Sequence, residues 1–204
     1  MHLTVLAASG PTGLALTRQA LDRGHTVRAV ARDPGRITVP DSPLLTRVAA
    51  DVFDDERIAA ALKGSETVLS GLGVPKGHKP GVLVAGARAA VATGARVIWL
   101  GAYGTGPSAP VASSLNRLVL KGLGEEIADK VASDATVLEV GGTVFHAGPL
   151  ARKPLSPDRR TVGLDASPKS LLRLLVSRET VAAAMLDEAE HPRFAGAVAV
   201  PLTR

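Results

Sequence analysis

Seven residues near the amino terminus, Ala7-Ala8-Ser9-Gly10-Pro11-Thr12-Gly13, carry the most explicit chemistry in the chain. Two glycines, two hydroxyls and no bulky side chain leave backbone N–H groups open, which is what a bound anion requires of a loop. The stretch follows the strand-like run LTVLAA (3–8) and precedes a helical pattern from about Leu14 to Arg23. Its amides would therefore sit at a helix N-terminus, where the partial positive charge favours a diphosphate. Gly10 would let the backbone approach that group, and Gly13 would let helix and strand pack closely. Ser9 and Thr12 offer hydroxyl donors, with Ala8 and Pro11 completing the loop. Ala7 stands where such loops usually open with glycine; a methyl there is tolerable at ordinary backbone angles and costly if φ must be positive. The competing reading is a purely structural turn.

A second group lies in AVARDPGR, at the end of the next strand-like run. Sites selective for NAD place an acidic residue near that point for the ribose hydroxyls, whereas a guanidinium grips a 2′-phosphate bidentately. Arg32 and Arg36 point to NADP(H); Asp33 lies one residue past the usual acidic position and argues the other way. Solvated loop charges are the alternative for both arginines. Two further residues could move protons. Tyr103 is the sole tyrosine, at the end of the fifth strand-like run, and is either a phenol donor to a carbonyl or a ring packed over the sheet edge. His146 lies in the expected loop after a sixth strand, as a proton donor near neutral pH or as a surface histidine. His78, flanked by Lys76 and Lys79 in VPKGHKPG, is a weaker candidate of the same kind. The five histidines are dispersed without a carboxylate cluster, so no metal site is expected.

The elements that must position these residues are legible as alternating runs. HTVRAVAR (25–32), LLTRVAAD (44–51), ETVLSGLG (66–73), ARVIWLGA (95–102) and ATVLEVGG (135–142) read as strands two to six. Helical patterns at DDERIAAALKG, at 80–94 with Pro80 at its start, and over 111–132 with interruptions at Gly122 and Gly124 separate them. A Pro- and Arg-rich loop (149–160), a possible strand RTVGLDA, a helix from near Ser177 and a final strand GAVAVPL follow. Strands apolar on both faces, alternating with helices, predict an α/β fold: a doubly wound parallel sheet of Rossmann type in one domain spanning 1–204, with pocket elements in 141–170.

Composition bounds the rest. Hydrophobic residues make up 46% and aromatic residues only 2%, so the core must be built from Val, Leu, Ile and Ala. A net charge of +5 suits an anionic small molecule; with basic residues scattered and few rings for stacking, no nucleic-acid partner is expected. There is no cysteine, which excludes disulfides and thiolate catalysis and accords with a reducing cytoplasm. No apolar run approaches the ~20 residues needed to cross a bilayer, and a cytoplasmic location without membrane association is the expectation. Nothing distinguishes a monomer from an oligomer.

With these residues assembled, the chain resembles the atypical short-chain dehydrogenase/reductases, in particular the NAD(P)H-binding group that contains biliverdin-IXβ/flavin reductases and NmrA-like proteins. The resemblance runs through AASGPTG, ARDPGRI, AADVFD, VLSGLGVPKG, GARVIWLGAYGTG, VGGTVFHAGPLA and VSRETVAAAMLDEAEHPRFAG, in the family's order. It implies that Asp51 and Val52 contact adenine and that Gly71, Leu72 and Gly73 run past the adenine-side ribose. It also implies that Gly101, Ala102 and the residues up to Gly104 lie beside the nicotinamide, and that 141–150 closes over it. Two features depart from familiar patterns: Ala102 stands where family reductases commonly carry serine, and the Tyr-x-x-x-Lys pair of the main short-chain family is absent. The implied activity is NADPH-dependent reduction of a small flat acceptor of flavin, quinone or tetrapyrrole type. The alternatives are an NmrA-like NADP-binding redox sensor without turnover, and a sugar-nucleotide or isoflavone-type activity.

Overall fold

In the computed structural model, which describes residues 1–74, 81–112, 124–168 and 174–203, the strand-like runs assemble into one sheet. Its strands are β1 (His2–Leu6), β2 (Thr26–Ala31), β3 (Leu45–Ala49), β4 (Thr67–Ser70), β5 (Arg96–Ala102) and β6 (Thr143–Ala147), joined by β8 (Arg160–Gly163) and β10 (Val198–Leu202). The spatial order is β3-β2-β1-β4-β5-β6-β10-β8, and every pairing is parallel except that of β8 with β10. β7 (Leu150–Ala151) and β9 (Val176–Ser177) form a separate two-stranded pair. The strand order reverses direction between β1 and β4, which opens a crevice beyond their carboxyl ends.

Alternation along β1 sends Leu3 and Val5 to one face of the sheet and Leu6 to the other, and both faces are covered. On the first face lie α1 (Pro11–Asp22) and α5 (Arg178–Glu190), packing Leu16, Ala20, Val181 and Met185 over Val5, Ile98 and Phe145. On the second lie α2 (Asp55–Leu62), α3 (Val82–Val91) and α4 (Gly124–Glu139), with Ile58, Leu62, Leu83 and Val137 over Leu6, Val30 and Trp99. Small alanines in α1 and α5 allow those helices a close approach, and ion pairs tie them: Arg18 to Glu179 at 2.5 Å, and Arg23 to Glu190 and Asp187 at 2.8 and 3.0 Å. Being partly exposed, each pair contributes about 0.2–1 kcal/mol, so the apolar face carries most of the packing energy. Ser177 caps α5 by accepting the Thr180 N–H at 3.0 Å.

One expected element differs. Residues 135–142 do not form a strand; α4 continues through ATVLE to Glu139, and the sixth strand begins at Thr143. The β-branched Thr136 and Val137 suggest a strand, but Val137 is fully buried as a helical residue in the layer over the second face, and tertiary packing overrides propensity. His146 and residues 143–147 therefore belong to a central strand rather than to the loop expected over 141–150. Pro80, the triad Lys76, His78 and Lys79, and residues 113–123 of the expected 111–132 helix lie outside the described residues.

The loop after β1 contains the single non-glycine residue with positive φ among those described: Ala7, at φ 60°. Left-handed backbone costs an L-residue about 1–2 kcal/mol, and glycine would lose about 0.5–1 kcal/mol of that advantage to chain entropy. Ala7→Gly should therefore raise stability in urea unfolding by about 0.5–1 kcal/mol; a loss of stability would show that the methyl contributes packing that outweighs the strain.

Candidate functional site

The turn that follows β1 is built by backbone contacts. The Ala7 carbonyl accepts the Gly10 N–H at 2.9 Å, and the Ala8 N–H donates to the Val30 carbonyl at 3.0 Å. Gly10 then serves as N-cap of α1, with no side-chain cap, Pro11 at the first helical position and no acidic residue in the first turn. The leading N–H groups of α1, at Thr12 and Gly13, have no partner within the helix by its geometry, so its positive end opens at the crevice.

The two glycines of the loop differ in what they are for. A Cβ at Gly13 would come within 2.1 Å of the Ala7 carbonyl oxygen and 2.7 Å of Ala8 Cα, so α1 can lie against the turn only with glycine there. Gly10, with φ −77°, is under no such demand: its Cβ would meet only the Ala7 oxygen, at 3.3 Å. The backbone angle does not call for glycine at position 10, and its one close contact is a tight one that a shift of a few tenths of an ångström would relieve. Across the crevice, Gly71 donates its N–H to the Leu6 carbonyl at 3.2 Å, and its own Cβ would lie 3.0 Å from Gly13 N. Gly73, exposed, would place a side chain in open space. Leu72 N–H donates to Ser70 Oγ at 3.2 Å, shaping the turn between them.

Other expected residues fall on the same carboxyl edge. Arg32 and Arg36 are exposed after β2. Asp33 is also exposed, its Oδ1 accepting the Gly35 N–H at 3.0 Å as N-cap of a 3-10 turn over Pro34–Arg36. The acidic residue that argued against a 2′-phosphate thus has one carboxylate oxygen engaged by the backbone. After β3, Asp51 accepts the Phe53 N–H at 3.0 Å, while Val52 is buried against the second core. Ser9, Gly101 and Ala102 are half-buried and Thr12 is buried.

The two proton-transfer candidates sit differently. Tyr103 is buried, its ring packed with Leu174, Val200 and Leu202, and its hydroxyl lies 3.2 Å from Ser167 Oγ and 3.3 Å from the Pro168 carbonyl. His146 has no exposed surface: Nδ1 lies 2.6 Å from Ser108 Oγ and Nε2 lies 3.0 Å from Asp134 Oδ2. Both polar groups are therefore engaged inside the protein. Sequence reasoning missed Asp134 and Ser108, since these residues stand 12 and 38 positions from His146 and carry no motif. Among the described residues, no group of three or more His, Cys, Asp or Glu could hold a metal ion, and no helix is long and apolar enough to cross a membrane.

The sequence model of a family described as NAD(P)H-binding matches residues 7–192, from the strained Ala7 through α5. The chain belongs to the NAD(P)H-binding family. No curated protein matches it in a sequence search. Among solved structures, the oxidoreductase ylbE from Lactococcus lactis aligns with TM-score 0.80 at 16% identity, covering 100% of this chain and 91% of that one. A short-chain dehydrogenase/reductase (wide type) from Veillonella parvula in complex with NADP gives 0.79 at 17%, covering 97% and 92%. ChuY, an anaerobillin reductase from Escherichia coli O157:H7, gives 0.77 at 17%, covering 99% and 97%. At these identities the likeness establishes the Rossmann fold that this family member shares with them.

The division between the two loop glycines is testable. Gly13→Ala should cost about 3 kcal/mol of stability by overpacking against backbone. Gly10→Ala should cost under about 1 kcal/mol yet weaken dinucleotide binding at least about ten-fold, which is what losing one close charge-assisted contact amounts to. Equal binding by Gly10→Ala and the native protein, measured calorimetrically, would contradict the assignment. Arg32→Ala should weaken NADPH by about ten-fold or more while leaving NADH within about two-fold, because only NADPH carries the extra phosphate; equal losses would remove Arg32 from the site.

Proposed function

We propose that the protein is an NADPH-dependent oxidoreductase that reduces a small, flat, conjugated acceptor of flavin, quinone or tetrapyrrole class. The observation that carries this reading is the open N-terminus of α1 at the β1/β4 crevice, with Gly10 as its N-cap and no side-chain cap there. The free amides of Thr12 and Gly13 would hold the diphosphate in front of Gly10, Arg32 and Arg36 the 2′-phosphate, and the Gly71–Gly73 backbone the ribose. Asp51 and Val52 would flank the adenine. A dinucleotide lying across such a crevice sends its second half over the ends of β4, β5 and β6. Strands about 4.8 Å apart put that half beside Gly101 and Ala102. Bound there, the nicotinamide would supply a hydride.

The remaining work belongs to the chain's own residues. Ala102 offers a methyl where a hydroxyl would polarise a carbonyl, and the Tyr103 hydroxyl is occupied by Ser167 and Pro168. Flat conjugated acceptors need little such help: holding the acceptor in register supplies most of the effect, and the proton that balances the hydride can come from solvent. The name of one structural neighbour, an anaerobillin reductase, accords with acceptors of that shape. The inward engagement of both Tyr103 and His146 also suits a redox sensor that binds NADPH without turnover.

An acceptor panel separates the two. The reductase reading expects NADPH oxidation on addition of a flavin, a quinone or a linear tetrapyrrole, and it expects Tyr103→Phe to keep turnover within about three-fold, since a phenol hydrogen bond to neighbouring groups is worth about 1 kcal/mol. Tight NADPH binding with no turnover on any acceptor favours the sensor, and abolished turnover in Tyr103→Phe returns the phenol to the proton-donor role.

A further inference from the structure

Three residues from three separate elements meet without solvent beneath the β5–β6 edge: Asp134 of α4, His146 of β6 and Ser108 of the 3-10 turn over Gly106–Ser108. His146 bridges the other two through its ring nitrogens, and Ser108 Oγ in turn accepts the Gly104 N–H at 2.7 Å and donates to the Thr105 carbonyl at 3.0 Å. Room for the pair is made by Gly101, the register partner of His146: a Cβ there would lie 2.9 Å from both Asp134 oxygens and from His146 Cδ2. We propose that Asp134 and His146 are positioning residues that act through Ser108 to fix the turn at 102–108, which walls the acceptor side of the cofactor crevice.

A stability role alone accounts poorly for the arrangement. Burying a carboxylate and an imidazole is costly, and apolar residues of similar volume usually serve stability as well or better. Here the carboxylate is not even fully used, because among the described residues Asp134 Oδ1 is buried without a hydrogen-bond partner. A comparison within α4 sharpens the point. Asp129, also buried, spends both oxygens on the Leu83 and Val84 amides at the start of α3, at 3.1 and 3.0 Å, as a purely structural cap does. What the Asp134 chain reaches is a short turn at the carboxyl edge of the sheet, whose other anchor is the Tyr103 N–H donated to the Ala147 carbonyl at 2.8 Å. Loss of the Ser108 hydroxyl frees the Gly104 amide and removes one of the two bonds to the Thr105 carbonyl. That hydroxyl makes no contact with β1, α1 or the diphosphate loop, so acceptor placement and cofactor affinity should separate.

This inference rests on the reductase reading for its catalytic consequence, and the test is arranged so that the two can fail independently. In Ser108→Ala, amide hydrogen exchange at Gly104 should accelerate about ten-fold or more, the loss of one buried hydrogen bond. Exchange in α1 should be unchanged. NADPH affinity should stay within about two-fold while kcat for a saturating flavin falls about ten-fold, with Ser108→Thr restoring both. Asp134→Asn, which keeps the side-chain shape, is the second variant and should shift the same quantities in the same direction. Unaltered Gly104 exchange in Ser108→Ala overturns the proposal, as does a loss of NADPH affinity equal to the loss of kcat. Absence of turnover in the native protein defeats the reductase reading alone, and the Gly104 exchange then decides the positioning role.

Discussion

Everything at the cofactor edge depends on one contact: the start of α1 lies so close to the turn after β1 that no side-chain atom fits between them. Gly13 faces the Ala7 carbonyl at a distance a methyl could not occupy, and Gly71 approaches Gly13 from the other side of the crevice, where a methyl would be tight at 3.0 Å. Three backbone segments from α1, β1 and β4 are thus drawn together at the point where the sheet order reverses. That closeness aims the unpaired amides of α1 outward, into the space in front of Gly10. It also forces Ala7 into left-handed backbone, since the turn must fold back sharply enough to bring its carbonyl under the helix.

The rest of the fold holds that contact steady. α1 is clamped along its length by α5 through an alanine-rich interface and a run of ion pairs, and β1 is paired on both sides. On the opposite half of the edge, polar chains take the place of close backbone packing: Asp129 fixes α3 to α4, while Asp134 and His146 tie α4 and β6 to the turn after β5. The edge at the β1 turn is held by backbone against backbone, whereas the turn after β5 is held by hydrogen bonds, several of them from side chains.

Legibility in the sequence followed the range of the interactions concerned. The β1 turn, the helix start near Ser177 and most of the alternating strands are local patterns and stand where the residues suggested. Helix α1 begins at Pro11, a turn earlier than the apolar spacing from Leu14 implied. ATVLEVGG was misread because β-branched residues in a short apolar run look alike in a strand and in a buried helix end, and only contact with the neighbouring layer decides. Asp33 carried a carboxylate whose direction a sequence does not reveal; the 3-10 turn after it shows the group capping the backbone. His146 carries an imidazole whose surroundings the sequence does not show: it lies in a buried strand, not in the expected loop. Its partners are distant in the chain, so neither its burial nor its role as a bridge had any local signature.

The central claim, that the uncapped start of α1 is a diphosphate site within an NADPH-binding crevice, is tested most directly by a crystal structure of the protein grown with NADPH. The account predicts diphosphate oxygens within hydrogen-bond distance of the Thr12 and Gly13 amides, with the 2′-phosphate against the Arg32 guanidinium. Density for the dinucleotide anywhere else, or a diphosphate that leaves those amides to solvent, would contradict it.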